Sequence, residues 1–272
     1  MLPTRFSRPN LGPRPPATPS RFLFTNHCAH VTPYDNFHSV AQLTAFALEQ
    51  VRYRLSAEVL KVSAANPDPH IIHYAASWLN RGAVVAVPTD TLYALAADPV
   101  NLAAIDEIFR VKGRPEHRAL PILISGLAHA AVLARELPDN FYRLAEACWP
   151  GPLTIVVDAS NRLPLKVTAN TRRIALRWPK SRIVSDLISE IGVPLTGTSA
   201  NVSDAPTCAS GGEVFNQLGD RLPLILDAGE TNSIMPSTIV ELRGDHWCIG
   251  RLGAIPADDI EEALSGDDAV PA

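Results

Sequence analysis

The sequence predicts an α/β (α+β) domain in which helices flank one twisted, mixed β-sheet. Three observations lead to this prediction. Apolar residues recur with a helical period in several segments, and short apolar runs typical of buried strands lie between them. The two kinds of segment mix without the strict alternation of a doubly wound sheet. With 46% hydrophobic and 19% charged residues, the composition is that of an ordinary globular protein.

Six helices are predicted from the apolar period and from residues that favour helix ends. Asn101 is a good N-cap for the second helix, and Gly82 and Gly113 lie where C-terminal caps belong. Pro150 and Gly151 end the third helix. The predicted helices cover residues 69–82, 101–113, 138–151, 181–192, 211–219 and 256–264.

Eight short apolar runs between these helices are predicted to be strands. The first of them ends at Pro88. The predicted strands cover residues 83–88, 119–124, 153–159, 173–179, 193–200, 224–229, 237–242 and 246–253. The folded domain is therefore expected to span residues 69–264, with a flexible C-terminal tail over residues 265–272.

Residues 1–68 are predicted to form a partly disordered N-terminal extension. The first 34 residues contain seven prolines and no Asp or Glu. This composition favours a disordered tail. An organelle-targeting segment and a start site assigned too far upstream are the two alternatives, and the prolines count against a targeting helix. An apolar stretch over residues 37–55 has the composition of a further helix.

Composition and spacing count against several functions. A formal net charge of -4 argues against a dominant nucleic-acid-binding surface, although it leaves room for a local basic cleft. The four cysteines and eight histidines show no metal-ligand spacing, so no metal site is predicted. Glycine-rich nucleotide loops and a Gly-x-Ser-x-Gly nucleophile are absent from the sequence. No apolar run approaches the ~20 residues that span a bilayer, so we expect a cytoplasmic protein without a membrane partner.

Small hydroxyl, amide and cationic side chains, together with the carboxylate Asp90, follow several predicted strands and the second helix. Each group alone fits a solvated turn or a surface arginine equally well. Loops at strand ends commonly bind ligands, however, and together these groups suit a polyphosphate and a carboxylate. The residues are Thr89, Asp90, Thr91, Lys112, Arg114, Arg118, Arg177, Thr196, Thr198, Ser199, Asn201, Ser203, Ser237, Thr238 and Arg251.

Seven sequence blocks, taken in order, carry a resemblance to a known family. They are "VPTDTLYAL", "VKGRP", "WPGPLTIVV", "IALRWP", "TGTSANVSDAPT", "PSTIVEL" and "GRLG". In this order and spacing, the chain resembles the YrdC-like family of threonylcarbamoyl-AMP synthases over roughly residues 70–264. The Lys-x-Arg and Ser-x-Asn pairs of the family correspond to Lys112/Arg114 and Ser199/Asn201. The chain resembles the single-domain form of that family.

The resemblance implies a twisted mixed sheet with a concave basic cleft. It also implies a nucleotidyltransferase that joins L-threonine, bicarbonate and ATP into threonylcarbamoyl-AMP and pyrophosphate. ATP is then a substrate, and Mg²⁺ is bound mainly through its phosphates. The product serves the t6A modification of adenosine 37 in tRNA, and a threonylcarbamoyl transferase machinery is the implied partner.

The same resemblance implies roles for individual residues. Lys112 and Arg114 would be catalytic, in contact with ATP phosphate and carbamate, and Thr89 and Arg177 would bind threonine. The remaining ATP-binding residues would be Ser199, Asn201, Thr207, Ser237 and Arg251, with Arg118 and Arg173 as less secure members. Two departures from the family pattern bear on substrate fit. The family's Tyr-Gly-Leu-Gly is replaced by "YALAA" over residues 93–97, and Pro121 is displaced after the basic turn.

Two alternatives remain at this point. A paralogue with the same fold would act on another carbamoyl or adenylate substrate. A module that binds RNA weakly through its basic cleft is the other alternative. The acidic net charge and the 6% aromatic content both count against RNA binding, because aromatic side chains stack on unpaired bases.

Overall fold

The computed structural model describes residues 56–233 and 235–265 of the chain. The interpretations of residues 1–55, including the helix predicted over residues 37–55, lie outside this part. Most of the predicted C-terminal tail, residues 266–272, also lies outside it.

All six predicted helices are confirmed, and the described residues contain a seventh, α3, that was not predicted. The Asn101 side chain accepts hydrogen bonds from the backbone N–H groups of Ala103 and Ala104, as expected of an N-cap. Gly113 ends the same helix in the left-handed region, at φ 60°. The helices are α1 (Pro69–Asn80), α2 (Leu102–Lys112), α3 (Leu127–Leu133), α4 (Asp139–Cys148), α5 (Arg182–Ile191), α6 (Gly211–Leu218) and α7 (Ala257–Leu264).

The eight predicted strands are present, some of them shorter than expected. The run over residues 119–124 yields only two strand residues, and the run over residues 193–200 divides into two strands at Gly197. The strands are β1 (Glu58–Lys61), β2 (Val85–Val87), β3 (Ala94–Ala96), β4 (Ile122–Leu123), β5 (Leu153–Asp158), β6 (Arg173–Arg177), β7 (Leu195–Thr196), β8 (Thr198–Ser199), β9 (Leu224–Asp227), β10 (Thr238–Arg243) and β11 (His246–Arg251).

The strands form two mixed sheets where a single sheet was expected. The five-stranded sheet has the order β1-β9-β2-β3-β8, and the six-stranded sheet has the order β11-β10-β5-β6-β4-β7. The chain crosses from the second sheet to the first at Gly197, since β7 pairs with β4 and β8 pairs with β3. A Cβ atom on Gly197 would lie 2.5 Å from Cδ2 of Leu123, so the close approach of the sheets requires a glycine here.

Strand β1 lies within the segment predicted to be an extension. It pairs in parallel with β9, and Lys61 forms an ion pair with Asp227 at the end of that pairing. The sequence "EVLK" contains no apolar run that would predict a buried strand, and three of its four residues are exposed. The folded structure therefore begins before residue 69.

Two hydrophobic clusters hold the sheets in place. Helices α1 and α5 pack against one face of the five-stranded sheet, where Leu79 and Leu187 are buried with Val85. The other cluster joins the opposite face of that sheet to the six-stranded sheet and includes Ile105 of α2 and Ile155 of β5. Both sheets are thus fixed by packing, and the side chains that project from their strands have defined positions.

Candidate functional site

A cavity of about 570 Å³ is lined by alternate residues of the central strands of the six-stranded sheet. Because side chains alternate between the two faces of a strand, these residues share one face. The opposite face contributes Leu153, Ile155 and Leu176 to the hydrophobic core. The loop after β2 and the segment around β8 complete the wall of the cavity.

One row of neighbouring side chains crosses five strands at one end of the cavity. Leu123 on β4 pairs with Arg177 on β6, and the β5–β6 register places Thr154 beside Arg177. Thr154 pairs with Ile239 on β10, which in turn pairs with Arg251 on β11. All five residues line the cavity. We call this set, Leu123, Arg177, Thr154, Ile239 and Arg251, the inner row.

Arginines also line the other end of the cavity. Arg173 lies four residues before Arg177 on β6, which corresponds to about 13 Å along a strand. Its guanidinium donates to Asp158 Oδ1 at 2.7 Å and to the Leu242 carbonyl at 2.6 Å. Arg243 lies nearby on β10 and is largely exposed. The floor of the cavity thus has cations at both ends.

Arg177 is the most buried arginine of the cavity, with only 7% of the residue exposed. Its Nη2 donates to Asp90 Oδ1 at 2.6 Å and its Nη1 to Thr91 Oγ1 at 2.8 Å, while Nε donates to the Gly151 carbonyl at 3.3 Å. Burial lowers the pKa of Arg177, and the Asp90 carboxylate opposes that shift. Three of its five N–H groups are engaged, so two remain for a ligand.

Thr89 lines the cavity at the end of β2. Its hydroxyl donates to the Leu92 carbonyl at 2.7 Å and accepts from the Thr91 N–H at 3.2 Å. These bonds hold the turn that carries Asp90 and Thr91 against Arg177. Asp90 and Thr91 therefore position the arginine, and Thr89 and Thr91 line the cavity.

Lys112 and Asn201 meet behind the loop that contains Ser199. Lys112 is 1% exposed, and its Nζ donates to the carbonyls of Ser199 and Asn201 and to Asn201 Oδ1. Burial, aided by the nearby Arg114, lowers the pKa of Lys112 to about 7. Asn201 Nδ2 donates to the carbonyls of Val202 and Ala205, and Ser199 Oγ donates to Asn201 Oδ1 at 2.6 Å. This network fixes the loop from behind.

Arg114 and Arg118 take different positions in the turn after α2. Arg114 lines the cavity, with Nη2 donating to the Ala119 carbonyl at 3.0 Å. Burial lowers the pKa of Arg114, and the charge of Arg118 adds to this shift. Arg118 is exposed and contacts Asp204 Oδ1 at 3.3 Å. Only Arg114 of this pair therefore reaches the cavity.

Ser237 and Arg251 form a connected pair at the inner row. Arg251 Nη2 donates to the Ser237 carbonyl at 2.8 Å and to Ser237 Oγ at 3.3 Å. Ser237 Oγ lies 2.8 Å from Thr154 Oγ1. Burial lowers the pKa of Arg251. A hydroxyl pair therefore lies between two cations, Arg177 and Arg251.

The structure brings most of the predicted site residues to one cavity. Lys112, Asn201 and Arg118 are the three that do not line it. The predicted residues that do are Thr89, Arg114, Arg173, Arg177, Ser199, Thr207, Ser237 and Arg251. Three polar or charged lining residues that lie within strands were not predicted, namely Thr154, Glu241 and Arg243. Each interrupts or ends an apolar strand at an alternate position, and that pattern was the available signal.

The two departures from the family pattern both lie at the cavity. Ala94 lines the cavity from strand β3, which pairs with β2 and β8, and it also belongs to the hydrophobic cluster beneath α1 and α5. Pro121 also lines the cavity, and its carbonyl accepts the Gly197 N–H at 2.8 Å. Ala94 is therefore accommodated within a regular strand, and Pro121 directly precedes β4.

The described residues contain no group of three or more His, Cys, Asp or Glu side chains that is arranged to hold a metal ion. Glu241 is the one carboxylate among the residues that line the cavity. None of the helices in the described part is long and apolar enough to cross a membrane.

Comparison with known proteins assigns the chain to a family. The model of the Sua5/YciO/YrdC family, described as telomere recombination, matches residues 77–253. The chain belongs to the Sua5/YciO/YrdC family. The predicted resemblance is thereby confirmed, as is the mixed α/β fold class.

Several relatives of the chain carry the name threonylcarbamoyl-AMP synthase. Threonylcarbamoyl-AMP synthase of Pyrococcus abyssi is 34% identical over 193 residues, covering 71% of this chain and 57% of that protein. The Bacillus subtilis protein of the same name is 32% identical, covering 72% and 57%. This chain therefore spans less than two thirds of the length of those relatives. A putative threonylcarbamoyl-AMP synthase of Mycobacterium tuberculosis is 31% identical and is covered over 88% of its length.

Solved structures of the Sua5/YciO/YrdC family match the fold. Pyrococcus abyssi Sua5 complexed with L-threonine has a TM-score of 0.74 and 32% identity, covering 76% of this chain and 61% of that one. Escherichia coli YciO has a TM-score of 0.69 at 22% identity, a likeness that concerns the fold alone.

Proposed function

We propose that the chain is an L-threonylcarbamoyladenylate synthase. It joins L-threonine, bicarbonate and ATP into threonylcarbamoyl-AMP, with release of pyrophosphate and water. The observation that carries the proposal is one cavity in which the buried Arg177 and the exposed Arg251 flank the hydroxyl groups of Thr154 and Ser237. Cations and hydroxyls without a nucleophile suit a reaction between three anionic or zwitterionic substrates. The names of the relatives support the same activity.

Arg177 would bind the carboxylate of L-threonine. A planar guanidinium matches a carboxylate in a bidentate manner, and two N–H groups of Arg177 are free of the contacts described above. The Asp90 and Thr91 contacts orient the guanidinium before the ligand arrives, which lowers the entropic cost of binding. Thr89 would complete this part of the site, since it lines the cavity beside Arg177.

Arg114 and Arg251 would neutralise the phosphates of ATP and the developing carbamate. Both reach the cavity from different elements, the turn after α2 and strand β11. Ser199, Thr207 and Ser237 supply hydroxyl groups along the same wall. Lys112 and Asn201 would act from behind by holding the backbone of the Ser199 loop. Arg173 at the far end and Arg118 at the rim are the less central members of the site.

Mg²⁺ would enter with the nucleotide as part of the substrate. The lining residues are mostly cations, hydroxyls and apolar groups, with Glu241 as the lone carboxylate. Such a set does not form a cage for a hard cation, which prefers several oxygen ligands. The phosphates of ATP and water would therefore supply those ligands.

The chemistry would proceed by positioning and charge neutralisation. The threonine amine attacks bicarbonate, a C–N bond forms, and water leaves to give a carbamate. A carbamate oxygen then attacks the α-phosphorus of ATP, and the bond to pyrophosphate breaks. Transfers of this kind need aligned reactants and stabilised charge rather than a protein nucleophile. The fixed arginines of the cavity meet that need.

The product would pass to a threonylcarbamoyl transferase machinery that modifies adenosine 37 of tRNA. The discriminating experiment incubates the protein with L-threonine, bicarbonate and ATP, each omitted in turn, and measures pyrophosphate and the mass of the adenylate. Pyrophosphate release that requires all three substrates would support the proposal. Release that is independent of threonine would overturn it and favour another carbamoyl or adenylate substrate. Salt-sensitive RNA binding without turnover would favour the binding module instead.

A further inference from the structure

Thr154 is the only side chain of the inner row with a hydroxyl group, and none of the roles proposed so far uses it. The residue is 3% exposed and lines the cavity. Its neighbours along β5, Leu153 and Ile155, are fully buried in the core on the opposite face. The Thr154 side chain therefore faces the cavity from the central part of the sheet, between Arg177 and Ile239.

A chain of hydrogen bonds connects Arg251 to Thr154 through Ser237. A guanidinium can only donate, so Ser237 Oγ accepts from Arg251 Nη2 at 3.3 Å. Ser237 Oγ can then donate a hydrogen bond to Thr154 Oγ1, which lies 2.8 Å away, or accept one from it. Consecutive hydrogen bonds of this kind strengthen one another. When Ser237 donates, the proton of Thr154 Oγ1 is available to a ligand in the cavity, and when Thr154 donates, its Oγ1 can still accept from one.

The surroundings of this hydroxyl are apolar on several sides. Leu123 and Ile239 belong to the same row, and Val156 and Ala175 lie one row further along the same face. Arg177 is the cross-strand neighbour of Thr154, and such neighbours have Cβ atoms about 5 Å apart. The site thus places one hydroxyl donor and apolar contacts within reach of a ligand whose carboxylate lies on Arg177. A side chain with one hydroxyl and one methyl on its β-carbon fits this combination.

We infer that Thr154 Oγ1 recognises the β-hydroxyl of the amino acid substrate and so makes the site selective for L-threonine over L-valine. This inference rests on the proposed function. Valine has nearly the same shape as threonine but carries a methyl group in place of the hydroxyl. A site built to bond a substrate hydroxyl strongly rejects an analogue without it, because its own polar groups are left unpaired. L-serine would be rejected more weakly, since it lacks only a methyl group.

The test compares the kcat/KM values for L-threonine and L-valine, measured by pyrophosphate release. The wild-type protein is expected to prefer threonine by about a thousandfold or more. Thr154→Val should lower that preference at least tenfold and leave the KM for ATP within about twofold of wild type. Thr154→Ser keeps the hydroxyl and should retain most of the preference. Thr168→Val is the matched control, because Thr168 is also 3% exposed but lies outside the cavity lining.

Several outcomes would overturn the inference. A wild-type preference for threonine below tenfold would do so without any variant, even if Thr154→Val does not fold. An active Thr154→Val protein that keeps the wild-type preference would also do so. A raised KM for ATP with an unchanged preference would instead assign Thr154 to phosphate binding. If the wild-type protein releases no threonine-dependent pyrophosphate, the proposed function falls and this inference falls with it.

Discussion

Arg177 Nη2 lies 2.6 Å from Asp90 Oδ1, and this ion pair is largely buried at the end of β6. The side chains are 9% and 14% exposed, so solvent screens their attraction only weakly. The pair joins the loop after β2 to the six-stranded sheet at the point where the amino acid is proposed to bind. The ion pair therefore has two expected consequences, one for stability and one for catalysis.

Asp90→Ala should destabilise the protein. Removal of one partner of a buried pair leaves the other charge uncompensated, which costs about 3 kcal/mol. The measurement is the free energy of unfolding from urea titration at pH 7. Asp186→Ala, which breaks the exposed Arg182–Asp186 pair on α5, is the control and should change stability by no more than about 0.5 kcal/mol. Equal losses in the two variants would contradict the importance of the buried pair.

Arg177→Ala should lower kcat/KM for threonine at least about tenfold, equivalent to roughly 1.4 kcal/mol of transition-state stabilisation. The reason is the loss of the two N–H groups proposed to hold the carboxylate. Pyrophosphate release at varied threonine and fixed ATP gives the value. Arg182→Ala on α5 is the control, because Arg182 is exposed and does not line the cavity. Near-wild-type kinetics in Arg177→Ala would remove this residue from the site.

Lys112→Ala should also lower activity at least about tenfold, although Lys112 does not line the cavity. Without its ammonium group, the carbonyls of Ser199 and Asn201 lose their common donor and the loop loses its fixed position. The effect should fall mainly on the KM for ATP, measured at saturating threonine. Lys180→Ala, at an exposed position, should leave that KM unchanged. An unaltered KM for ATP in Lys112→Ala would show that the loop needs no such support.

Much of the fold follows from local sequence signals. The helix over 102–112 begins at Asn101 and ends at Gly113 as the caps predict. Strand β1 could not be predicted, because it is exposed and depends on pairing with β9, which lies more than 160 residues away. The division into two sheets could not be predicted from local sequence either. The division occurs at Gly197, within an apolar run that looks continuous in the sequence.

The sequence predicts which arginines belong to the site, but it does not predict how the side chains of the site are arranged in space. Arg177 and Arg251 could be found because a charge at the end of an apolar strand is unusual. Arg177 and Arg251 lie close to Thr154 because of the register between strands that are distant in sequence. A local sequence pattern carries no information about that register. The burial of Lys112 was also invisible, since a Lys-Gly-Arg-Pro turn has the composition of an exposed segment.

Gly197→Ala should destabilise the protein by about 1–3 kcal/mol, because the added methyl would overlap Leu123 in a packed region. The unfolding free energy gives the value. Gly212→Ala is the matched control. Gly212 lies in α6, and a Cβ atom there would meet only Ser210 Oγ at 4.0 Å, an ordinary contact. Alanine is the better helix former, so this change should be neutral or stabilising. If Gly197→Ala is as stable as wild type, the two sheets do not need their close approach at this point.

The stability of the protein should rise as the pH increases from about 7 to 9 because of Lys112. Its pKa is lowered to about 7 in the folded state, from 10.5 when exposed, mainly by burial. Between these values the unfolded chain binds more protons than the folded chain, and stability then rises with pH. The contribution of this one group over that range is about 2 kcal/mol. Urea titrations of wild type and Lys112→Met at pH 7 and pH 9 measure it, since methionine has a similar length and no charge. The rise should be about 2 kcal/mol smaller in the variant, and an identical rise in both proteins would mean that Lys112 keeps its proton above pH 9.

Loss of the Lys112 proton leaves two N–H donors for three oxygen acceptors. The kcat/KM for ATP should therefore fall between about pH 7 and pH 9 in the wild-type protein.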